Sequence, residues 1–203
     1  MSSRQILLSG LFLCLFAVVG TSFVAVTEYN TRQAIAENER RVLLRNLHAL
    51  LPAEKLDNDI VSDTRLIPAA SLLGTENESL VYRARLQGNP VAAIFNSVAP
   101  NGYSGKIHLL VGVYLDGSVA GVRALKHAET PGLGDALEIQ KSRWILDFDA
   151  KSLNNPDTSK WLVKRDGGVF DQFTGATITP RAVVQAVKNT LLYYRQNVDT
   201  LFD

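Results

Sequence analysis

The stretch KIHLLVGVYLDGSVAGVRALKHA, residues 106–128, decides the fold. Ile107, Leu109, Val111, Val113 and Leu115 fall on every second position, the period that lines up one row of side chains on one face of a strand. Asp116-Gly117 then interrupts the run with a dipeptide suited to a tight hairpin, and residues 118–128 return as a second extended segment. Upstream the same logic repeats. Leu80, Tyr82, Ala84 and Leu86 alternate with Val81, Arg83 and Arg85; Gly88-Asn89-Pro90 turns the chain into a strand over 91–98; Pro100-Asn101-Gly102 turns it again. Downstream, a glycine-rich loop leads to an expected helix over 135–148, with Leu137, Trp144, Ile145 and Phe148 facing inward. A polar stretch around Asn154-Asn155-Pro156, a short strand over 161–164 and a turn at Asp166-Gly167-Gly168 follow. The final helix is expected to start at Pro180 behind Thr179 as N-cap, with Val183, Val184, Val187, Leu191 and Tyr194 on one face. Antiparallel hairpins flanked by helices define an α+β domain.

At the other end of the chain, residues 6–26 carry no charge and are rich in Leu, Val and Phe. About twenty such residues at helical rise cover the ~30 Å hydrocarbon layer, so this segment reads as a transmembrane helix. A cleaved signal peptide is the rival, but its apolar core is shorter and ends at a small-x-small site that residues 23–27 do not supply. Residues 31–51 then place Ile35, Val42, Leu43, Leu47, Leu50 and Leu51 at roughly helical spacing before Pro52. The organisation read from sequence is a tail (1–5), a transmembrane helix (6–26), a linker helix (27–52) and one domain (53–203). Arg4 before the apolar run, against Arg32, Arg40 and Arg41 after it, leaves orientation undecided by the positive-inside rule.

Charge and cysteine usage exclude several classes. The chain holds 21 Lys and Arg against 20 Asp and Glu, a balance that carries no nucleic-acid footprint, so no nucleic-acid partner is expected. The single cysteine, Cys14, lies in the apolar run, which rules out an internal disulfide and cysteine-ligated zinc. His48, His108 and His127 share no metal-ligand spacing. No phosphate-binding loop, dinucleotide fingerprint or Ser-His-Asp order is present, so no side chain is assigned a catalytic role.

Two loops remain. Asp171-Gln172-Phe173-Thr174-Gly175-Ala176-Thr177, just before the last helix, sets two hydroxyls around a Gly-Ala pair small enough to admit a bulky group. It reads either as a turn capping a helix or as a phosphate site at the positive end of that helix. Glu129-Thr130-Pro131-Gly132-Leu133-Gly134 combines a proline, two glycines and one apolar side chain, and reads either as a sheet-to-helix connection or as part of a binding wall.

The 171–177 segment resembles the flavinylation motif of FMN-binding domains. With Asp166-Gly167-Gly168 ahead of it, residues 178–184 behind it and the 129–134 loop, the chain resembles the G subunit of the Rnf ion-translocating oxidoreductase, also called the SoxR-reducing complex. The likeness runs from the apolar segment through Leu50-Leu51-Pro52 and Gly102-Tyr103-Ser104-Gly105 to the last helix. It implies FMN held covalently, its phosphate esterified to Thr177 by a flavin transferase that uses FAD. Thr174, Gly175 and Ala176 would surround the phosphate, and Glu129, Thr130, Gly132 and Leu133 the ring, with Leu133 against one ring face. It further implies an electron-transfer subunit of a translocase, not catalytic alone. Its partners would be the other Rnf subunits, and its place the bacterial inner membrane with the domain in the periplasm. The C subunit of the sodium-translocating NADH:quinone reductase shares motif and anchor, though its chain tends to be longer. A membrane-tethered interaction module without cofactor is the reading from a different class.

Overall fold

A computed structural model describes residues 3–202, so positions 1 and 2 of the tail and position 203 lie outside the described residues. The chain forms two compact units, one through Leu43 and one from Leu44 onward. Helix α1 (Ser3–Leu50) runs for 48 residues and passes through the boundary drawn at residue 26 as one element. Within it, Leu11, Phe12, Phe16, Val19 and Phe23 are exposed, and the helix is long and apolar enough to cross a membrane. Beyond the apolar run, Arg32 pairs with Glu28 and Arg41 with Glu37 one turn apart, which suits a solvated helix.

The second unit is built on a five-stranded antiparallel meander, in the order β1 (Thr64–Ile67), β2 (Ser79–Leu86), β3 (Asn89–Gly102), β4 (Gly105–Tyr114), β5 (Val119–Lys126). The alternation read in the 106–115 segment is realised as far as Val113, whereas Leu115 lies beyond the strand and is exposed. Ile107, Leu109, Val111 and Val113 join Val81, Ala93, Phe95 and Val122 in one core, against helix α2 (Ile178–Leu201) with Val183, Val184, Val187, Leu191 and Tyr194. The intervening side chains Tyr82, Ala84, Ala92, Ile94 and Leu110 are buried too, and lie outside that cluster on the opposite face. The end of α1 covers part of that second face. Gly112 and Gly121 are cross-strand partners there, and a Cβ on Gly121 would meet Leu50 Cδ2 at 3.0 Å and Leu50 Cα at 3.5 Å. The sheet is therefore sandwiched, which is why its strands are buried on both faces.

Three local expectations are corrected, and one strand is added. Strand β1, only four residues with no turn dipeptide before it, is not legible in the sequence. Residues 135–148 do not form one helix but two short 3₁₀ segments, Gly134–Leu137 and Trp144–Phe148. The reason is local: Ser142 Oγ donates to the Ala136 carbonyl (2.6 Å) and accepts from the Trp144 N–H (3.1 Å), replacing ladder hydrogen bonds with side-chain ones. The inward set Leu137, Trp144, Ile145 and Phe148 is nonetheless buried. Residues 161–164 are not a strand. They lie between 3₁₀ turns Thr158–Lys160 and Lys164–Asp166 and make one parallel bridge, Val163 to Phe170. Finally, α2 begins two residues earlier than read, with Thr177 at the N-cap and Thr179 inside the first turn.

Candidate functional site

The 129–134 loop winds around one carbonyl. Thr130 O accepts from the N–H groups of Leu133 (3.1 Å) and Gly134 (3.0 Å), and Gly132 takes φ +77°, a left-handed conformation that favours glycine. This winding leaves Thr130, Pro131, Gly132 and Leu133 outside, Leu133 42% exposed, while Glu129 is turned inward and only 4% exposed. Glu129 Oε1 accepts from the Ser104 N–H in the β3–β4 turn (2.9 Å), and Oε2 accepts from the hydroxyl of Thr179, itself fully buried. One carboxylate thus joins three separate segments. Gly134 is confined by the same group, since a Cβ there would lie 2.9 Å from Glu129 Cβ and 3.0 Å from Thr179 Oγ1. His127 steadies the entry to the loop: its Nδ1 accepts from the Glu129 N–H (3.2 Å), which makes Nε2 the donor to Glu138 Oε1 at 3.1 Å.

The 171–177 loop is fixed from below. Trp144 Nε1 donates to the Asp171 carbonyl (2.7 Å), and the Phe173 ring packs edge-on against Trp144 with centroids 4.8 Å apart. The Ala176 N–H closes a turn on the Phe173 carbonyl (3.2 Å) with Gly175 at φ +79°. Thr174 is exposed at the tip, and the Asp171 carboxylate pairs with Lys164 at 2.6 Å. Thr177 is half-buried at the N-cap of α2, and its hydroxyl makes no capping hydrogen bond. The leading N–H groups of α2 have no intrahelical acceptors, so the start of the helix presents donors and the positive end of its dipole.

The two loops, far apart in the chain, touch. A Cβ on Gly175 would stand 3.2 Å from Leu133 Cδ2. Between them lies a cleft of about 410 Å³ lined by Tyr103, Leu133, Gly175, Thr177, Ile178 and neighbouring residues. Of the residues singled out in the sequence, Glu129, Thr130, Leu133, Gly175, Ala176 and Thr177 line this cleft; Gly132 and Thr174 flank it. Tyr103, Ile178 and Thr179 also line it and were not singled out, although Tyr103 sits in a Gly-x-x-Gly hairpin tip and Thr179 was read as a cap. Tyr103 is 66% and Ile178 46% exposed, an amount of apolar surface that a planar ring would cover. The Asp171 carboxylate is paired with Lys164, and the Glu129 carboxylate accepts from Ser104 and Thr179 within the protein. Size, apolar walls, unused helical donors and an uncommitted hydroxyl at the helix start fit a flavin mononucleotide. Among the described residues no cluster of three or more His, Cys, Asp and Glu could hold a metal.

This fold and cleft define a class. The family model described as FMN-binding domain matches residues 102–192, and that described as RnfG N-terminal region matches residues 1–50. The curated relatives narrow it further. The chain is 46% identical to the G subunit of the ion-translocating oxidoreductase complex of Pseudoalteromonas atlantica over 194 residues, 96% of this chain and 90% of that protein. It is 45% identical to that of Shewanella baltica (96% and 92%) and 47% to that of Pseudomonas aeruginosa over 198 residues (98% and 92%). The chain belongs to the G-subunit family of ion-translocating oxidoreductase complexes.

Proposed function

We propose that this chain is the electron-transfer G subunit of a membrane-bound ion-translocating oxidoreductase complex and carries FMN esterified through its phosphate to Thr177. The observation that carries the reading is the meeting of the two loops: Leu133 against Gly175, with the unused Thr177 hydroxyl beside them at the start of α2. Whole-chain likeness to the G-subunit proteins favours this over the C subunit of a sodium-translocating NADH:quinone reductase.

In maturation, Thr177 Oγ forms the new phosphorus–oxygen bond and loses its proton as AMP leaves from FAD, a transfer that needs the flavin transferase. Donors at the helix start hold the phosphate charge. Leu133, Tyr103 and Ile178 cover the ring and restrict water. Glu129 and Thr179 set the spacing of the walls. When bound, FMN supplies one- and two-electron redox chemistry, which the chain tunes through burial and polarity. The tether leaves the ring itself unmodified and prevents loss of the cofactor to an open compartment. The domain lies in the periplasm of a bacterial inner-membrane protein anchored by residues 6–26, and the other subunits of the complex are its partners. A C-terminal reporter active only in the cytoplasm would overturn that orientation.

The test of attachment is flavin fluorescence in a denaturing gel of full-length protein made with the transferase. Wild type and Thr177→Ser should give a fluorescent band and Thr177→Val none. A band surviving in Thr177→Val refutes the assignment, and no band in wild type favours the interaction module without cofactor.

A further inference from the structure

A second cleft, of about 580 Å³, lies away from the flavin site. It is lined by the last turns of α1 (Arg45, Asn46, Ala49), the end of β5 (Arg123–His127) and residues 138–140. Arg45, Arg123 and Lys126 line it, and among the described residues no carboxylate lies within ion-pairing distance of any of the three. Its one acid, Glu138, is already engaged by His127. Arg123 is the informative member. It is half-buried; Nη1 donates to the Val122 carbonyl (2.7 Å) and Nη2 to the Ala49 carbonyl near the end of α1 (2.7 Å), while Nε is buried without any acceptor. Closing the helix end explains Nη2 alone. An arginine cannot shed its charge, and a buried donor with no acceptor costs about 1–3 kcal/mol. Burial pushes its affinity for the proton down, and Asp149 offsets this only through space. Leu125 (41% exposed) and Ile139 add apolar surface to the same cleft. Donors, net positive charge and apolar contact together are what an acidic peptide needs.

We propose that this cleft is the docking site for an acidic segment of another subunit of the complex, whose carboxylates pair with Arg45, Arg123 and Lys126 while its apolar side chains meet Leu125 and Ile139. This rests on the chain being a complex subunit. Charge complementarity selects the occupant: three cations without a carboxylate partner among the described residues face the cleft, against one acid, Glu138, which accepts from His127.

The test uses the full-length chain in its purified complex. With Cys14→Ser as background, a thiol is placed in the cleft by Ile139→Cys and, as control, outside it in the exposed loop before β2 by Asn77→Cys. Labelling by a water-soluble maleimide is compared between isolated chain and complex. The cleft thiol should label several-fold more slowly in the complex, high salt should remove the protection, and the control should label alike in both. Adding Arg45→Gln with Lys126→Gln, neither of which supports the fold through a side-chain hydrogen bond, should abolish protection at low salt. Arg123→Gln should do the same, with some loss of stability from the helix end. Equal labelling in chain and complex, or protection indifferent to the charge variants, overturns the proposal, whether the cleft then holds a lipid phosphate or only solvent. Failure of the wild-type chain to purify with the complex would instead sink the subunit reading, and the proposal with it.

Discussion

Glu129→Ala is the most searching single change, because it cuts the link among the β3–β4 turn, the 129–134 loop and α2. The Thr179 hydroxyl, with no access to water, loses its carboxylate acceptor at a cost of about 1–3 kcal/mol. Ser104 is exposed, so its N–H can recover a water and costs about 1 kcal/mol, and the space left by the side chain adds about 1 more. The total is about 4 kcal/mol, a fall of roughly 10 °C in melting temperature for a domain of this size. Glu129→Gln should cost less, about 1–3 kcal/mol, because its amide oxygen can still accept from Ser104 and its NH₂ can donate to Thr179 Oγ1, leaving only the Thr179 O–H without its acceptor. Denaturation of the full-length protein in detergent gives these values, and a double-mutant cycle with Thr179→Val isolates the pair. A coupling energy below about 0.5 kcal/mol would refute the reasoning. So would flavin anisotropy in folded Glu129→Ala equal to wild type, since the walls would then hold the ring without the link.

Leu133→Ala should leave covalent attachment intact while shifting the flavin spectrum and midpoint potential, and an unchanged redox titration would remove this loop from the ring. Gly175→Ala combines a strained φ of +79° with a contact on Leu133, so it should cost about 1–2 kcal/mol and slow flavin attachment, read from fluorescence per chain. Thr174→Val, at the exposed tip, should reduce attachment less than Thr177→Val in the same gel. Burial pushes the Asp63 carboxyl up, but hydrogen bonds and charge from Arg83 and Arg85 outweigh it and hold the group below the ordinary carboxylate range. A value lowered on folding gives stability that is present above the unfolded value of about 4 and is lost as pH falls through the folded value. Asp63→Asn should therefore flatten the stability curve below about pH 4; an unaltered acid slope would contradict this.

The parts legible in the sequence are those where one local rule acts alone. Period-two alternation in 106–115 and the Asp116-Gly117 turn gave a strand and hairpin that tertiary context only confirms. The two loops stand out by composition and Thr177 by the family resemblance, and the fold brings the loops together. The rest fails where side chains compete with the backbone or where partners are distant. Ser142 diverts the helical ladder of 135–148, an effect invisible to hydrophobic spacing. Thr179 looks like a cap before Pro180, but its hydroxyl is claimed by Glu129 from a remote loop. Strand β1 exists because Arg65 and its neighbours pair with β2, not because Thr-Arg-Leu-Ile is distinctive.

Gly121, paired across the ladder with Gly112, gives the end of α1 a bearing made of main chain. Elsewhere in a core, a changed side chain can be accommodated by its neighbours finding new rotamers; here Leu50 rests where no side chain intervenes, so the clearance is set by covalent geometry. Such a joint has little slack. Motion of the last turn of α1 would be passed to the β4–β5 ladder as displacement, and a methyl added at Gly121 would stand 3.0 Å from Leu50 Cδ2, so that side chain would have to give by a fraction of an ångström.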